Sequence, residues 1–449
     1  MDYSLWRFEM TPEVGKITEM KKDQQWAVSA DLLIDGTGAP PIADAILVVR
    51  NGRIEAVGER NKVELPPGTK VYNHPKETIL PGLIDAHNHP TLKPIGLEFK
   101  DYKGQFYDPD ARLASRSTRN LRVDLLSGVT TIRVVGELNF VEVILDEEIR
   151  NGIILGPKII PSGPRLGPTG GHVWIKEWSV DRPENIRQAI REYVAKGSRI
   201  IKLGLLDENP KDTSYSDDEL SAAVEEAHSL GVPVAAHCTG EWGSSILHCL
   251  TNGIDVIEHV VPLNKDIIEQ VRKTKTAFSL TPFVYKVAQP QPAEYWHYQD
   301  FEASSAKDWM DYNVAVSKKF LESNPDIMTK DRYFGREVFP ALIPWMAAVR
   351  EAWEAGITIC VGSDAPHGVF ALNVEFLVDC GIPPLGAITA ATGVAARVCR
   401  TDDSTGTLAP GKAADFISVR GNPLDQIEAL RDVNLIVKDG ILYENLSFV

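Results

Sequence analysis

Short apolar runs recur through the middle of this chain, each preceded or followed by a stretch whose apolar positions have helical spacing. The runs are TILPGLIDAHNH (78–89), TTIRVV (130–135), KIIPSG (158–163), RIIKLG (199–204), VPVAAHC (232–238), DVIEHV (255–260), AFSLTP (277–282) and ITICVGSD (357–364). Brief, continuous apolar character marks strands covered on both faces, and strands alternating with helices predict parallel pairing. Eight such units over roughly 300 residues predict an α/β fold, a (β/α)8 TIM barrel with insertions. A doubly wound sheet is the rival, but no GxGxxG turn follows any of the runs.

The two ends have another texture. WAVSADLLIDGTGAPPIADAILVVRNGRIEAVGE and GTLAPGKAADFISVRGNPLDQIEALRDVNLIVKDGILY are β-rich and broken by hairpin signals at Asn51-Gly52 and Asp439-Gly440. Each set of strands needs a partner to bury its apolar face. The pattern predicts a small β-sandwich domain assembled from residues 1–79 and 403–449, with the barrel spanning 80–402. The connection over about 283–338 is too long for a barrel loop. It carries Tyr295, Trp296, Tyr298, Phe301, Trp309 and Tyr312, which suit either helix packing or an apolar pocket wall.

Composition narrows the function. A 43% hydrophobic and 24% charged chain of 449 residues is an ordinary globular protein, and a net charge of -15 offers nothing to neutralise phosphates. No nucleic-acid or membrane partner is expected; a small-molecule substrate is. The five cysteines, Cys238, Cys249, Cys360, Cys380 and Cys399, form no CxxC pair, and no secretory signal or membrane-spanning run is evident. A reducing, cytoplasmic location is therefore expected.

Chemistry collects at the carboxyl ends of the runs. His87 and His89 sit one residue apart, so an extended chain turns both imidazoles to one side. Lys202 lies in the fourth run, His237 ends the fifth, His259 the sixth and Asp364 the eighth. Catalytic side chains of a barrel come from strand carboxyl ends, and histidines with a carboxylate are common zinc ligands. Lys202 fits such a set if carbon dioxide carbamylates its amine into an anion, which burial favours by disfavouring the ammonium; otherwise it pairs with an acid such as Asp364. His367, three residues past Asp364, is a candidate to line the mouth or brace that aspartate. Cys238 should point away from the site.

The ordered set HNH, Lys202, AAHC, IEHV and GSDAP, with TILPGLIDAHNH before it and GTLAPGKAADFISV after it, resembles the metal-dependent amidohydrolase superfamily. The texture is similar to its prolidase-like and imidazolonepropionase-like group, which includes phenylurea- and carbamate-cleaving hydrolases. The resemblance implies two zinc ions, with His87, His89 and Asp364 on one, His237 and His259 on the other, and carbamylated Lys202 bridging them. It implies a metal-activated hydroxide, with Asp364 shuttling the proton to the leaving amine. A one-metal variant would use His87, His89, His237 and Asp364. Deaminases of that type place a glutamate where this chain has Gly240, which lowers that reading.

His172, in the PSGPRLGPTGGHVW loop, is a candidate donor to the substrate carbonyl, and Arg165 in that loop is a candidate clamp for a carboxylate. Tyr285 is a candidate donor to a tetrahedral oxyanion. The leading expectation is a hydrolase of amides, ureas or carbamates, leaning towards neutral aryl substrates. The alternatives are a dipeptidase or N-acyl-amino-acid hydrolase, and a non-catalytic scaffold. Barrels of this kind often associate, so a homo-oligomer is expected.

Overall fold

The computed structural model describes residues 17–18, 25–93, 105–171, 179–207, 214–240, 243–282, 342–365 and 367–444. The expected insertion over 283–338, with its aromatic residues, lies outside them, as do His172 and Tyr285.

All eight central runs are strands: β6 (Leu83–Asn88), β7 (Val129–Val134), β8 (Lys158–Ile160), β9 (Ile201–Asp207), β10 (Val234–Gly240), β11 (Val256–Val261), β12 (Ala277–Leu280) and β13 (Ile359–Val361). A helix follows each in the chain, from Asp110–Leu126 after β6 to Phe370–Asp379 after β13. The helix Asp217–Ser229 shows how the sequence starts one. Ser216 and Glu219 form a capping box, and Leu220, Ala223, Val224 and Ala227 then bury one face.

The strands pair in parallel as two sheets, β6-β7-β8 and β13-β12-β11-β10-β9. The ladders do not run unbroken around eight strands. β8 stops at Ile160, because Pro161 and Pro164 supply no N–H to extend it. Single bridges span the two seams, Leu166 with Leu203 on one side and Asn88 with Asp364 on the other. At the second seam Asp364 N donates to His87 O at 2.7 Å and His89 N donates to Asp364 O at 3.1 Å. Gly362 permits this approach, since a Cβ there would lie 2.3 Å from His87 Cβ. The helix Gly393–Val398 packs Ala395 and Ala396 against Ile84, Ala86, Ile160 and Cys360. This leaves the carboxyl ends as the place for chemistry.

The terminal strands are β1 (Ile17–Thr18), β2 (Gln25–Leu33), β3 (Ile42–Arg50), β4 (Arg53–Glu59), β5 (Lys70–Pro81), β14 (Phe416–Arg420), β15 (Val433–Lys438) and β16 (Ile441–Glu444). In hydrogen-bonding terms they form one sheet, ordered β1-β16-β15-β14-β5-β2-β3-β4, where a sandwich of two sheets was expected. The reason is β5, whose 12 residues pair with β2 on one side and β14 on the other. Trp26, Phe416, Leu435 and Ile54 share a core, and Arg53 bridges Ala413, so the sheet curls on itself. Among the described residues no helix is long and apolar enough to cross a membrane.

Candidate metal centre

Six predicted residues converge at the strand ends. His87 and His89 bring their Nε2 atoms to 3.2 Å, and Asp364 Oδ1 lies 3.5 Å from His89 Nε2 and 4.0 Å from His87 Nε2. These three side chains offer ligand atoms that all lie within 4.8 Å of one another. His259 sits between the two sides of the site, its ring centroid 4.6 Å from His87 and 4.4 Å from His237, tilted to the first and edge-on to the second. His259 Nδ1 meets the Thr281 hydroxyl at 2.8 Å, and His237 Nε2 meets the Thr239 hydroxyl at 2.9 Å.

Lys202 completes the group. It is 2% exposed, and among the described residues its Nζ has no hydrogen-bond partner. Burial pulls its pKa down to about 8, against the opposing pull of Glu258. Burial likewise holds His87 and His259 well below the usual imidazole range and His89 at about 4, so these rings are neutral with lone pairs to give. It also raises the Asp364 carboxyl.

Two buried residues escape a reading from alternation. Glu258 is 0% exposed; one carboxylate oxygen lies 2.8 Å from His87 Nδ1, and the other accepts from Arg133 Nη2 at 2.6 Å. In a regular strand Glu258 and His259 would face opposite sides. Both reach the site because the chain turns left-handed at His259 (φ 69) and Val260 (φ 61), where the β10-β11 register also slips. The adjacent acid and histidine in IEHV were the available signal. Arg133 also donates from Nε to Ala86 O at 2.5 Å. Glu137 is the second such acid, with Oε1 3.6 Å from His89 Nδ1 and its carboxyl pushed up to about 7 by burial.

Beneath these, Asp85 accepts from the backbone N–H of His87 at 3.1 Å and of Ser363 at 3.0 Å, and from Asn88 Nδ2 at 2.9 Å. It thus ties the HNH segment to the segment that carries Asp364. His367 is buried with Nδ1 2.9 Å from Asp124, which also accepts from Gly368 N and Asn88 Nδ2, so it extends this tie. Cys238 points away into the core, its Sγ 3.4 Å from Cys249 Sγ.

The donor set fits divalent metal ions. His87, His89 and His259, kept neutral by burial, stand with His237 and the Asp364 carboxyl around a buried amine that has no hydrogen-bond partner among the described residues, and such an amine gains most by becoming an anion that ions can bind.

Comparison with known proteins gives the same picture. A profile described as the Amidohydrolase family matches residues 78–442. The ochratoxinase of Aspergillus niger is 27% identical over 463 aligned residues, covering 93% of this chain and 86% of that protein. Its crystal structure superposes with a TM-score of 0.74 at 24% identity, over 94% of this chain and 96% of the other. A Xaa-Pro dipeptidase with bound methionine gives 0.75 at 23% identity, over 94% and 100%. Phenylurea hydrolase B gives 0.70 at 19% identity, over 93% and 96%. The match over residues 78–442 spans every strand that feeds the site, and the chain belongs to the amidohydrolase family, hydrolases acting on carbon-nitrogen bonds.

Proposed function

We propose that this chain hydrolyses the C–N bond of a small amide, urea or carbamate at a two-metal centre. The two parallel sheets work as one (β/α)8 barrel, with the curled terminal sheet as its small second domain. His87, His89 and Asp364 would hold one divalent ion and His237 and His259 the other, with a carbamylated Lys202 as a shared anionic ligand; zinc is the metal we favour. The observation that carries the reading is the buried Lys202 amine, without a hydrogen-bond partner among the described residues, at a site where burial keeps His87, His89 and His259 neutral. Its lone pair adds to the carbon of carbon dioxide and a proton leaves, which turns a costly buried group into an anionic ligand.

Ions bound there would lower the pKa of a water between them and polarise the substrate carbonyl. The chain's own groups do the rest. Arg133 donates to one oxygen of Glu258, whose other oxygen accepts a hydrogen bond from His87 Nδ1–H, so that Nε2 is the lone-pair nitrogen aimed at Asp364. Asp364 accepts the proton of the attacking water and delivers it to the leaving nitrogen. His172 and Tyr285 remain the proposed contacts to the carbonyl oxygen and the oxyanion. A cytoplasmic homo-oligomer acting on a small molecule is the setting we propose.

The test is metal analysis combined with a hydrolysis panel of anilides, aryl ureas, carbamates and N-acyl amino acids, run with zinc and bicarbonate. Two metals per chain are expected, with Asp364→Asn lowering turnover by at least about 10³-fold. A protein that binds no metal, and whose behaviour Asp364→Asn leaves unchanged, would be a scaffold that keeps the fold without the chemistry.

A further inference from the structure

The candidate ligand histidines are held from behind by two different kinds of group. In the His87, His89 and Asp364 set, His87 Nδ1 lies 2.8 Å from Glu258 Oε2, and Arg133 Nη2 fixes that carboxylate by donating to its other oxygen at 2.6 Å. A second carboxyl faces the other ring, with Glu137 Oε1 3.6 Å from His89 Nδ1. In the His237 and His259 set the side chains that meet the rings among the described residues are hydroxyls. Thr281 Oγ1 lies 2.8 Å from His259 Nδ1, and Thr239 Oγ1 lies 2.9 Å from His237 Nε2.

Strand register produces this division. β11 and β12 pair Glu258 with Ser279, and alternation turns Thr281, two residues further on, to the same side. The left-handed turn at His259 brings its ring to Thr281, which is wholly buried. Glu258 reaches past its own neighbour to His87 on β6.

The two kinds of partner act differently on a ring. A carboxylate only accepts, so it keeps a proton on the nitrogen it faces and leaves the other nitrogen with its lone pair before any ion arrives. A hydroxyl accepts or donates, so by itself it leaves both tautomers of His259 and His237 open, and a metal ion must select one. A hydrogen bond to a carboxylate is also roughly twice as strong as one between neutral groups, and it makes the ring a better donor. Asp364 then adds a carboxyl ligand to the first set alone. The shared position of Lys202 favours neither.

We propose that the two metal positions are unequal: His87, His89 and Asp364 form the retained position, His237 and His259 the exchangeable one, and Thr281 is the positioning residue that sets how firmly the exchangeable ion is kept. This rests on the two-metal reading above and adds that the chain retains one ion while it takes up the other according to the free metal around it.

The experiment loads the full chain with zinc in the presence of bicarbonate, counts bound zinc by elemental mass spectrometry, and follows its release to a chromogenic chelator. The proteins are the wild type, His237→Ala, Thr281→Val and Thr281→Ser. The wild type should release its two ions in separate steps, at rates at least about tenfold apart. His237→Ala should lack the fast step and keep the slow one. Thr281→Val, which keeps the shape and removes the hydroxyl, should speed the fast step roughly 10- to 100-fold and leave the slow step within about threefold; Thr281→Ser should restore the wild-type rates. Two ions leaving at one rate, loss of the slow step in His237→Ala, or equal acceleration of both steps by Thr281→Val overturns the proposal. In each of those results the wild type still binds two ions, so the two-metal reading stands. A wild type that takes up no more than one zinc per chain at saturation sinks that reading and the proposal together.

Discussion

Two buried cations lie at the heart of this molecule, and they are treated in opposite ways. Arg133 on β7 is 0% exposed, and its guanidinium donates to Glu258 and to the Ala86 carbonyl. Its partners raise its pKa despite burial, Glu258 foremost among them. Lys202 on β9 is 2% exposed, its amine has no hydrogen-bond partner among the described residues, and burial pulls its pKa down to about 8. A buried ion pair persists because breaking it strands the other charge, whereas an unpaired buried ammonium is a cost with no local return. The arginine behaves as a fixed part of the frame. The lysine behaves as a group kept for a reaction.

The same substitution separates them. Lys202→Met should lose at least about 10³-fold in turnover and one of two metals per chain, because its bridging anion cannot form. In the metal-free protein, however, it should raise stability at pH 7 by about 1–3 kcal/mol, since it removes an unpaired buried amine of similar length. Metal analysis and chemical denaturation check both halves. Lys202→Ala, which leaves room, should recover part of its activity with acetate or formate in solution. A Lys202→Met protein with full metal content would favour the one-metal arrangement.

Arg133→Met should do the reverse. It strands Glu258, which is wholly buried, and should destabilise the protein by about 3–5 kcal/mol. Adding Glu258→Gln to Arg133→Met should recover part of that loss. Metal affinity should stay weakened, because a neutral amide holds the His87 Nδ1–H less firmly than a carboxylate. Full recovery of metal binding in the double variant would break the link drawn here between the buried pair and the ligand.

How much of this can be read from the chain depends on regularity. The eight central strands were legible because both their faces are covered, which leaves compact apolar runs such as RIIKLG. Five of the six converging residues were legible because they stand at the ends of those runs, and Lys202 because it is a lone charge inside one. Glu258 and Glu137 were not, since a left-handed turn at His259 and the seating of Glu137 against Thr91 and His89 obey no sequence period. The meaning of Gly204 is tertiary: it makes room for an arginine 39 positions earlier. The single curled sheet was hidden for a similar reason. Only pairing shows that β5 joins both termini.

A third buried charge-bearing group gives the smallest and sharpest test of the comparison. Glu142, in the first turn of the helix Val141–Arg150, is 0% exposed; Oε1 accepts from Gly163 N at 2.6 Å, and Oε2 has no hydrogen-bond partner among the described residues. Burial, with Glu137 adding to it, pushes its carboxyl up to about 8. It is thus kept protonated and neutral at pH 7, and it touches none of the proposed ligands. Its folded pKa lies above the unfolded value of 4.5, so the folded state holds a proton that the unfolded chain has released between about pH 4.5 and 8. Stability from this group is fully present below pH 4.5 and declines as pH rises through that window. Glu142→Gln, which keeps the acceptor and supplies N–H in place of the proton, should flatten the decline and stabilise the protein by about 2–3 kcal/mol at pH 7, with turnover unchanged. Denaturation midpoints from pH 5 to pH 8 measure this directly. Equal slopes in the two proteins would mean that Glu142 is ionised in the fold, and that burial without a partner does not by itself mark a group held neutral here.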